Sequence, residues 1–205
     1  MWANSAQKIG VADNGAVEKM LHHSKRYPSF ALEMEIGIIS DTHSYLDDRI
    51  LHHLKECNLI IHAGDVGDYT VIERLKALAP VECVYGNIDN SSIRGEFPEW
   101  KLLDLEGVSV LVIHIAGAVG KYNQKVRKLL VEHKPKVLIC GHSHILKVIR
   151  DDLFHVIHIN SGAAGRHGFH KMRTLIRVSA AEGSLKNLRI VELGPRSTQS
   201  IDWFN

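Results

Sequence analysis

Cysteine is scarce in this chain of 205 residues: only Cys57, Cys83 and Cys140, far apart and each in or beside an apolar stretch. Their scarcity excludes a disulfide framework and points to reduced core residues in a cytoplasmic protein. Neither sign of charge dominates, with 25 Lys and Arg against 23 Asp and Glu, a formal balance of +2. Without a basic stripe or a block of like charges, a nucleic-acid partner is not expected. No apolar run approaches the roughly 20 residues needed to cross a bilayer, so no membrane partner is expected either. Aromatic residues make up only 6%, while histidine, the commonest metal ligand, occurs 14 times.

Residues 1–33 show no sustained period and lack the long apolar core of a secretory signal, so they read as an N-terminal extension. The domain is expected over residues 34–195, with a tail at 196–205. Glu35–Ser40, Leu59–His62 and Val81–Tyr85 read as buried strands, separated by helical spacing over Leu46–Glu56 and Val71–Leu78. That β-α-β-α-β order predicts a parallel sheet. Then come strands at Lys101–Leu105 and Ser109–His114 around the Glu106-Gly107 turn. A helix at Gln124–His133 and a strand at Val137–Cys140 follow. Leu146–Arg150 and His155–Ile159 flank Asp151-Asp152, and Arg173–Val178 and Leu188–Leu193 flank Gly183. About ten strands and three main helices are too many for one simple sheet, and two stacked sheets with helices outside fit better.

Five clusters of metal-capable residues share one position, the end of a strand. They are Asp41-Thr42-His43, Gly64-Asp65, Gly86-Asn87, His114 and Gly141-His142-Ser143-His144. Taken singly, Gly-Asp and Gly-Asn after a strand are ordinary turn residues, and a lone histidine on an apolar strand is ordinarily a core residue. Together they predict convergence, because parallel strands present their carboxyl ends along one edge where ligands collect. The set mixes nitrogen and oxygen without thiolate, which suits Mn, Fe or Zn. Seven ligands are too many for one open catalytic ion and about right for two sharing Asp65. Two divalent ions outweigh Asp41 and Asp65, and the residual positive charge draws a phosphoryl group.

These blocks resemble the signature of the calcineurin-like metallophosphoesterases, and most of all the small bacterial and archaeal phosphodiesterase branch typified by YfcE. The resemblance implies an α/β/β/α four-layer sandwich of two mixed sheets flanked by helices. It implies that Asp41, His43 and His144 hold one divalent ion, that Asn87, His114 and His142 hold the other, and that Asp65 bridges them. Mn is the first choice of metal, with Fe, Zn, Ni or Co as alternatives. Asp65, Asn87 and His114 are the expected catalytic residues, with a metal-bridging hydroxide as nucleophile on a small phosphodiester. The wider family follows the asparagine with a histidine that protonates the leaving group; here Ile88 stands in its place. The loop after His114 is also remodelled, reading Ile115-Ala116-Gly117. Asn160–Gly165 resembles the family's Asn-Pro-Gly-Ser turn with Ser161 for its proline. The run Arg166–Lys171 after it has two readings: it closes over the substrate and supplies the missing donor from His167 or His170, so that Asn87, His167 and His170 are the expected substrate contacts, or it is a solvated loop. A phosphomonoesterase or nucleotidase is the alternative within enzymes, and a retromer-subunit-like scaffold the alternative outside them. Self-association is left open.

Overall fold

Two five-stranded mixed sheets face one another in the computed structural model, which describes residues 33–197. The extension expected over residues 1–33 falls, except for Glu33, outside the described residues, as does the tail from 198 onward. The strands are β1 (Met34–Ile39), β2 (Leu59–His62), β3 (Val81–Cys83), β4 (Trp100–Leu105), β5 (Val108–Ile113), β6 (Gly117–Ala118), β7 (Lys121–Tyr122), β8 (Val137–Cys140), β9 (Lys147–Asp151), β10 (Val156–Asn160), β11 (Met172–Ala181) and β12 (Ser184–Pro195). The helices are α1 (Asp48–Leu54), α2 (Tyr69–Lys76), α3 (Ser91–Glu96) and α4 (Gln124–His133).

One sheet runs β12-β11-β1-β2-β3 and the other β4-β5-β8-β10-β9. In each, three strands are parallel, β1-β2-β3 in the first and β5-β8-β10 in the second, and antiparallel strands complete the sheet. The two-residue period of a strand sorts the apolar side chains. Ile61 of β2 joins Val110 and Val112 of β5, Ile139 of β8 and Val178 of β11 in a core between the sheets. Ile60, its neighbour, turns the other way and packs with Ile50, Leu54, Ile72 and Leu75 of α1 and α2. Leu111 and Ile113 turn outward from the second sheet onto Val126, Leu129 and Leu130 of α4. Three apolar clusters between four layers make the α/β/β/α sandwich that the sequence predicts.

Each helix begins at an Asp or Asn whose side chain accepts from the first turn. Asp47 accepts from Ile50 N–H, Asp68 from Thr70 N–H, Asn90 from Ser92 and Ile93 N–H, and Asn123 from Val126 N–H. Such caps satisfy the otherwise unpaired amides of the first turn. They also set where the loops from β1, β2 and β3 end, and so fix the length of chain available to the site.

Two expectations need correction. The described residues hold four helices rather than three main ones: α3 escapes the periodicity because its six residues bury only Ile93. The described residues hold twelve strands rather than about ten, because Gly117–Ala118 and Lys121–Tyr122 pair as a hairpin too short to carry an alternating pattern. The Glu106-Gly107 turn is as expected, with φ of 51° and 82°, the double left-handed geometry of a tight hairpin.

Candidate metal centre

Asp41 lies just beyond β1, Asp65 beyond β2, Asn87 beyond β3, His114 beyond β5, and His142 and His144 beyond β8. Both sheets therefore deliver residues from the carboxyl ends of their parallel strands to one place. Asp41, His43 and His144 form one group whose ligand atoms all lie within 4.8 Å of one another, and Asp65, His114 and His142 form a second. His144 Nε2 is 3.1 Å from Asp41 Oδ1 and 3.4 Å from His43 Nε2. The Asp65 carboxylate reaches toward both groups: Oδ1 is 3.2 Å from His114 Nε2, and Oδ2 is 3.7 Å from His43 Nε2. Asn87 Oδ1 completes the second group, 3.2 Å from His114 Nε2 and 2.9 Å from His142 Nδ1. All seven residues singled out in the sequence come together. Asp41, Asp65 and His114 are buried, while Asn87 and His142 stand at the open side.

The loops that hold them are strained and laced together. Asp41, His43, Asp65, His142 and His144 all have left-handed φ, between 46° and 68°. Each such residue costs about 1–3 kcal/mol, a strain that persists only where the surroundings dictate it. The lacing is visible in the backbone: Asp41 N–H donates to Gly64 O, His43 N–H to Asp65 O, Gly141 N–H to His114 O and Gly165 N–H to Asp41 O, each at 3.0 Å. Gly86 and Gly141 are more than turn residues. A side chain on Gly86 would strike the Asp65 carboxylate, and one on Gly141 would strike Ser40 and Asp41.

Behind the ligands stands a set of braces. The Asp89 carboxylate accepts from Gly67 N–H at 2.8 Å and Gly86 N–H at 2.7 Å, tying the Asp65 loop to the Asn87 loop. Arg94, on α3, donates to Asp89 O, Gly86 O and Asn87 O, and its guanidinium lies over the Tyr85 ring. Asn160 Nδ2 donates to Gly141 O and Ser143 Oγ, and Asn160 Oδ1 accepts from Gly162 N–H, joining the His142–His144 loop to the 160–165 turn. His62 is fully buried; its Nδ1 accepts from Gly64 N–H and its Nε2 lies 3.0 Å from Thr42 Oγ1. Burial pushes its pKa down to about 4, so the ring is neutral and serves as a peg between two ligand loops. His62 and Arg94 were not singled out from the sequence. A histidine ending the apolar run Leu59–His62 is the only sequence signal for the first.

The donor set fits a divalent cation. His114 Nδ1 lies 2.7 Å from Ala63 O, which accepts the Nδ1–H hydrogen bond and leaves the Nε2 lone pair toward Asp65 and Asn87. Acceptors pointed at one another in this way are reconciled by positive charge. The titration tendencies agree. Burial works against a charged His114, but the Asp65 hydrogen bond and the Asp41 and Asp65 charges outweigh it and raise its pKa. Burial likewise works against a charged Asp65, and the His114 hydrogen bond and charge, with Ile88 N–H, outweigh it and lower its pKa. The three cysteines are buried and free, apart from both groups. Imidazole and carboxylate without thiolate are the ligands of a catalytic ion such as Mn, Fe or Zn.

The segment after the 160–165 turn rims the same cleft. The His167 ring is exposed, 4.7 Å from that of His43. His170 packs edge-on against His144 at 5.3 Å, with Nε2 3.1 Å from Gly165 O. A neutral His170 thus commits its Nε2 proton to Gly165 O and is left with an acceptor at Nδ1, so it braces the loop more than it offers a donor. Ile88 is exposed on the cleft wall.

Fold and site together define a class: two stacked mixed sheets whose parallel strands converge on a divalent-cation site. Residues 34–183 match the calcineurin-like phosphoesterase superfamily domain, and the chain belongs to that family. It is similar to a probable metallophosphoesterase of Methanothermobacter thermautotrophicus, 37% identical over 116 residues that cover 54% of this chain and 67% of that protein. A second, from Methanocaldococcus jannaschii, is 34% identical over 136 residues, 63% of this chain and 68% of the relative. Among solved structures, Vps29 of Entamoeba histolytica complexed with zinc shares the fold with a TM-score of 0.58 at 16% identity, covering 78% of this chain and 100% of its own. Membership makes the chain a metal-dependent phosphoesterase. No helix among the described residues is long and apolar enough to cross a membrane.

Proposed function

We propose that the chain is a phosphodiesterase that acts on a small diester with two divalent cations, Mn foremost, held by the seven ligands and shared through Asp65. The observation that carries this reading is the Asp65 carboxylate, one oxygen toward His114 and the other toward His43. Cations bound there supply Lewis acidity, which draws a phosphoryl group and acidifies a water. The chain's own residues do the rest. Asp41 and Asp65 set the charge that the cations must balance. Asn87, at the open side beside His142, offers a carboxamide to the cation and to a phosphate oxygen. His167 stands at the rim, where it can meet the substrate. Three free buried cysteines are in keeping with a cytoplasmic setting.

Two features favour a diester. The acid histidine of the wider family is replaced by Ile88, which suits leaving groups that need little protonation. Two clefts also meet at Asn87: one of about 460 Å³ over His43, His142 and His144, and one of about 530 Å³ toward Tyr85, Arg94 and Lys125. A diester has two arms to place. The test compares turnover of bis-aryl and mono-aryl phosphates with Mn added. Faster diester hydrolysis is expected, and faster monoester hydrolysis would overturn the choice in favour of a phosphomonoesterase or nucleotidase. A non-catalytic scaffold is the competing reading outside enzymes. Metal content alone does not separate it, since the Entamoeba Vps29 was crystallised with zinc. Turnover does.

A further inference from the structure

The cleft over His43 and His144 has an apolar wall that the hydrolytic chemistry does not require. Ile88, Ile145 and Phe169 all line it, with exposures of 46%, 61% and 104%. Exposed apolar side chains scattered singly over a surface are ordinary. These three line one cleft, and each is the chain neighbour of a site residue: Ile88 follows Asn87, Ile145 follows His144, and Phe169 precedes His170.

Their backbones are pinned rather than loose. Ile88 N–H donates to Asp65 Oδ1 at 3.1 Å, so the side chain stands at a fixed place beside the metal ligands. Ile145 N–H donates to Ser143 Oγ at 3.3 Å. Phe169 lies between Gly168, which packs on His144, and His170, whose ring is tied to Gly165 O and whose carbonyl accepts from Arg196. The cleft on the far side of Asn87 has a different lining. There Lys125 pairs with Glu99 at 2.6 Å, and Arg94 lies over Tyr85. One cleft adds three exposed apolar side chains to the metal ligands, and the other adds an ion pair and a guanidinium beside Ile115 and Tyr85.

We infer that Ile88, Ile145 and Phe169 form a specificity wall that receives a flat apolar group carried on the phosphate, so that the substrate class is an unsymmetrical ester with an aromatic or apolar arm on this side and a polar arm on the other. The inference rests on the phosphoesterase reading for the word substrate. The contact itself is a matter of binding and can be measured without turnover. A hydrophobic pocket of this kind discriminates by about 10- to 200-fold per small apolar increment. An open wall stands at the low end of that range.

The experiment uses the Mn-loaded full chain and two probes with the same head group, phenylphosphonate and methylphosphonate, titrated by calorimetry. Phenylphosphonate is expected to bind about 10-fold more tightly. In the Phe169→Ala/Ile145→Ala variant that ratio should fall toward one, with the methylphosphonate affinity unchanged. Both side chains are exposed, so truncation leaves the packed layers intact. Equal binding of the two probes by the wild-type chain, no binding of either, or a preference that survives in the double variant would overturn the wall. Turnover of bis-aryl phosphate is read separately. A chain that shows the phenyl preference but hydrolyses nothing loses the hydrolase reading and keeps the apolar subsite, so the two failures are distinguishable.

Discussion

The ligand loops and the rim beside them are built in opposite ways. The loops carrying Asp41 and Asp65 are buried and strained, and they are tied to one another through the backbone. The rim from Arg166 to Lys171 is mostly exposed, and it is held from its flanks: His170 bonds to Gly165 O, Arg196 donates to Arg166 O, His170 O and Lys171 O, and the Arg166 guanidinium lies over the Tyr45 ring at 4.6 Å. Chemistry that must hold cations at fixed distances needs the first kind of construction. Selection among substrates needs only the second, since a surface that contacts one arm of a ligand tolerates adjustment.

Substitution should separate the two regions, and the largest effect belongs to the loops. Asp65→Ala removes the group shared between the two ligand sets, and loss of turnover by about 10³-fold or more is expected in a bis-aryl phosphate assay. Unchanged turnover would contradict the shared role.

The next effect is on stability, in the frame beneath the rim. The buried Arg173 guanidinium donates to Asp47 at 2.9 Å, Leu193 O at 2.8 Å and Ala164 O at 3.3 Å, and Asp47 also caps α1. Asp47→Ala should cost about 3 kcal/mol in a urea melt, the low end for breaking a buried pair because Asp47 keeps some exposure. Burial pushes the Asp47 carboxyl up, but Ile50 N–H, Arg173 and Tyr45 outweigh it and hold the pKa below the ordinary value. A depressed folded pKa gives stability that is present above the unfolded value of about 3.9 and lost as pH falls through the folded one. The wild-type and Asp47→Ala melts should therefore converge on acidification below about pH 4. A gap that stays constant to pH 3 would remove the charge from this account.

Asp89→Ala should come third, at about 1–3 kcal/mol, because it strands the amides of Gly67 and Gly86. Because those amides belong to the Asp65 and Asn87 loops, metal affinity should fall with it in a Mn titration. Loss of stability with metal affinity intact would show that the brace serves only the fold.

The rim should give the smallest effects. His170→Ala is expected to slow catalysis by about 10-fold while leaving metal content close to wild type, since the ring packs on His144 without replacing it as a ligand. A wild-type rate would return that loop to the role of a solvated connection. Ile88→His would place an imidazole where the wider family has its acid. It should raise turnover of esters with poor leaving groups by several-fold, in the direction of general-acid catalysis.

The same contrast explains what could be read from the sequence. Strands such as Leu59–His62 and Val137–Cys140, and the helix Gln124–His133, were legible to the residue because apolar period and length agree there. The ligands were legible because few residue types can hold a cation, and each sits at a strand end. The braces were not. Asp89 joins Gly67 to Gly86, Asn160 joins Gly141 to Gly162, and His62 joins Gly64 to Thr42. These bonds depend on which loops meet in space, and no local pattern records that. Gly86, ordinary as a turn residue when read alone, is required by the approach of the Asp65 carboxylate from another strand. Of the apolar side chains in the cleft, only Ile88 stood out, as a replacement for the family's acid histidine; Ile145 and Phe169 are distant from it in the chain and read as ordinary hydrophobic residues.

The central claim is that seven side chains hold a pair of cations through one shared carboxylate. Its most direct test is the Mn stoichiometry of the wild-type chain and of Asp65→Ala, measured by elemental analysis after equilibrium dialysis. Two ions per wild-type chain, with both sites weakened together in the variant, is the predicted result. A single ion per wild-type chain, or a variant that loses one site and keeps the other at full affinity, would contradict it.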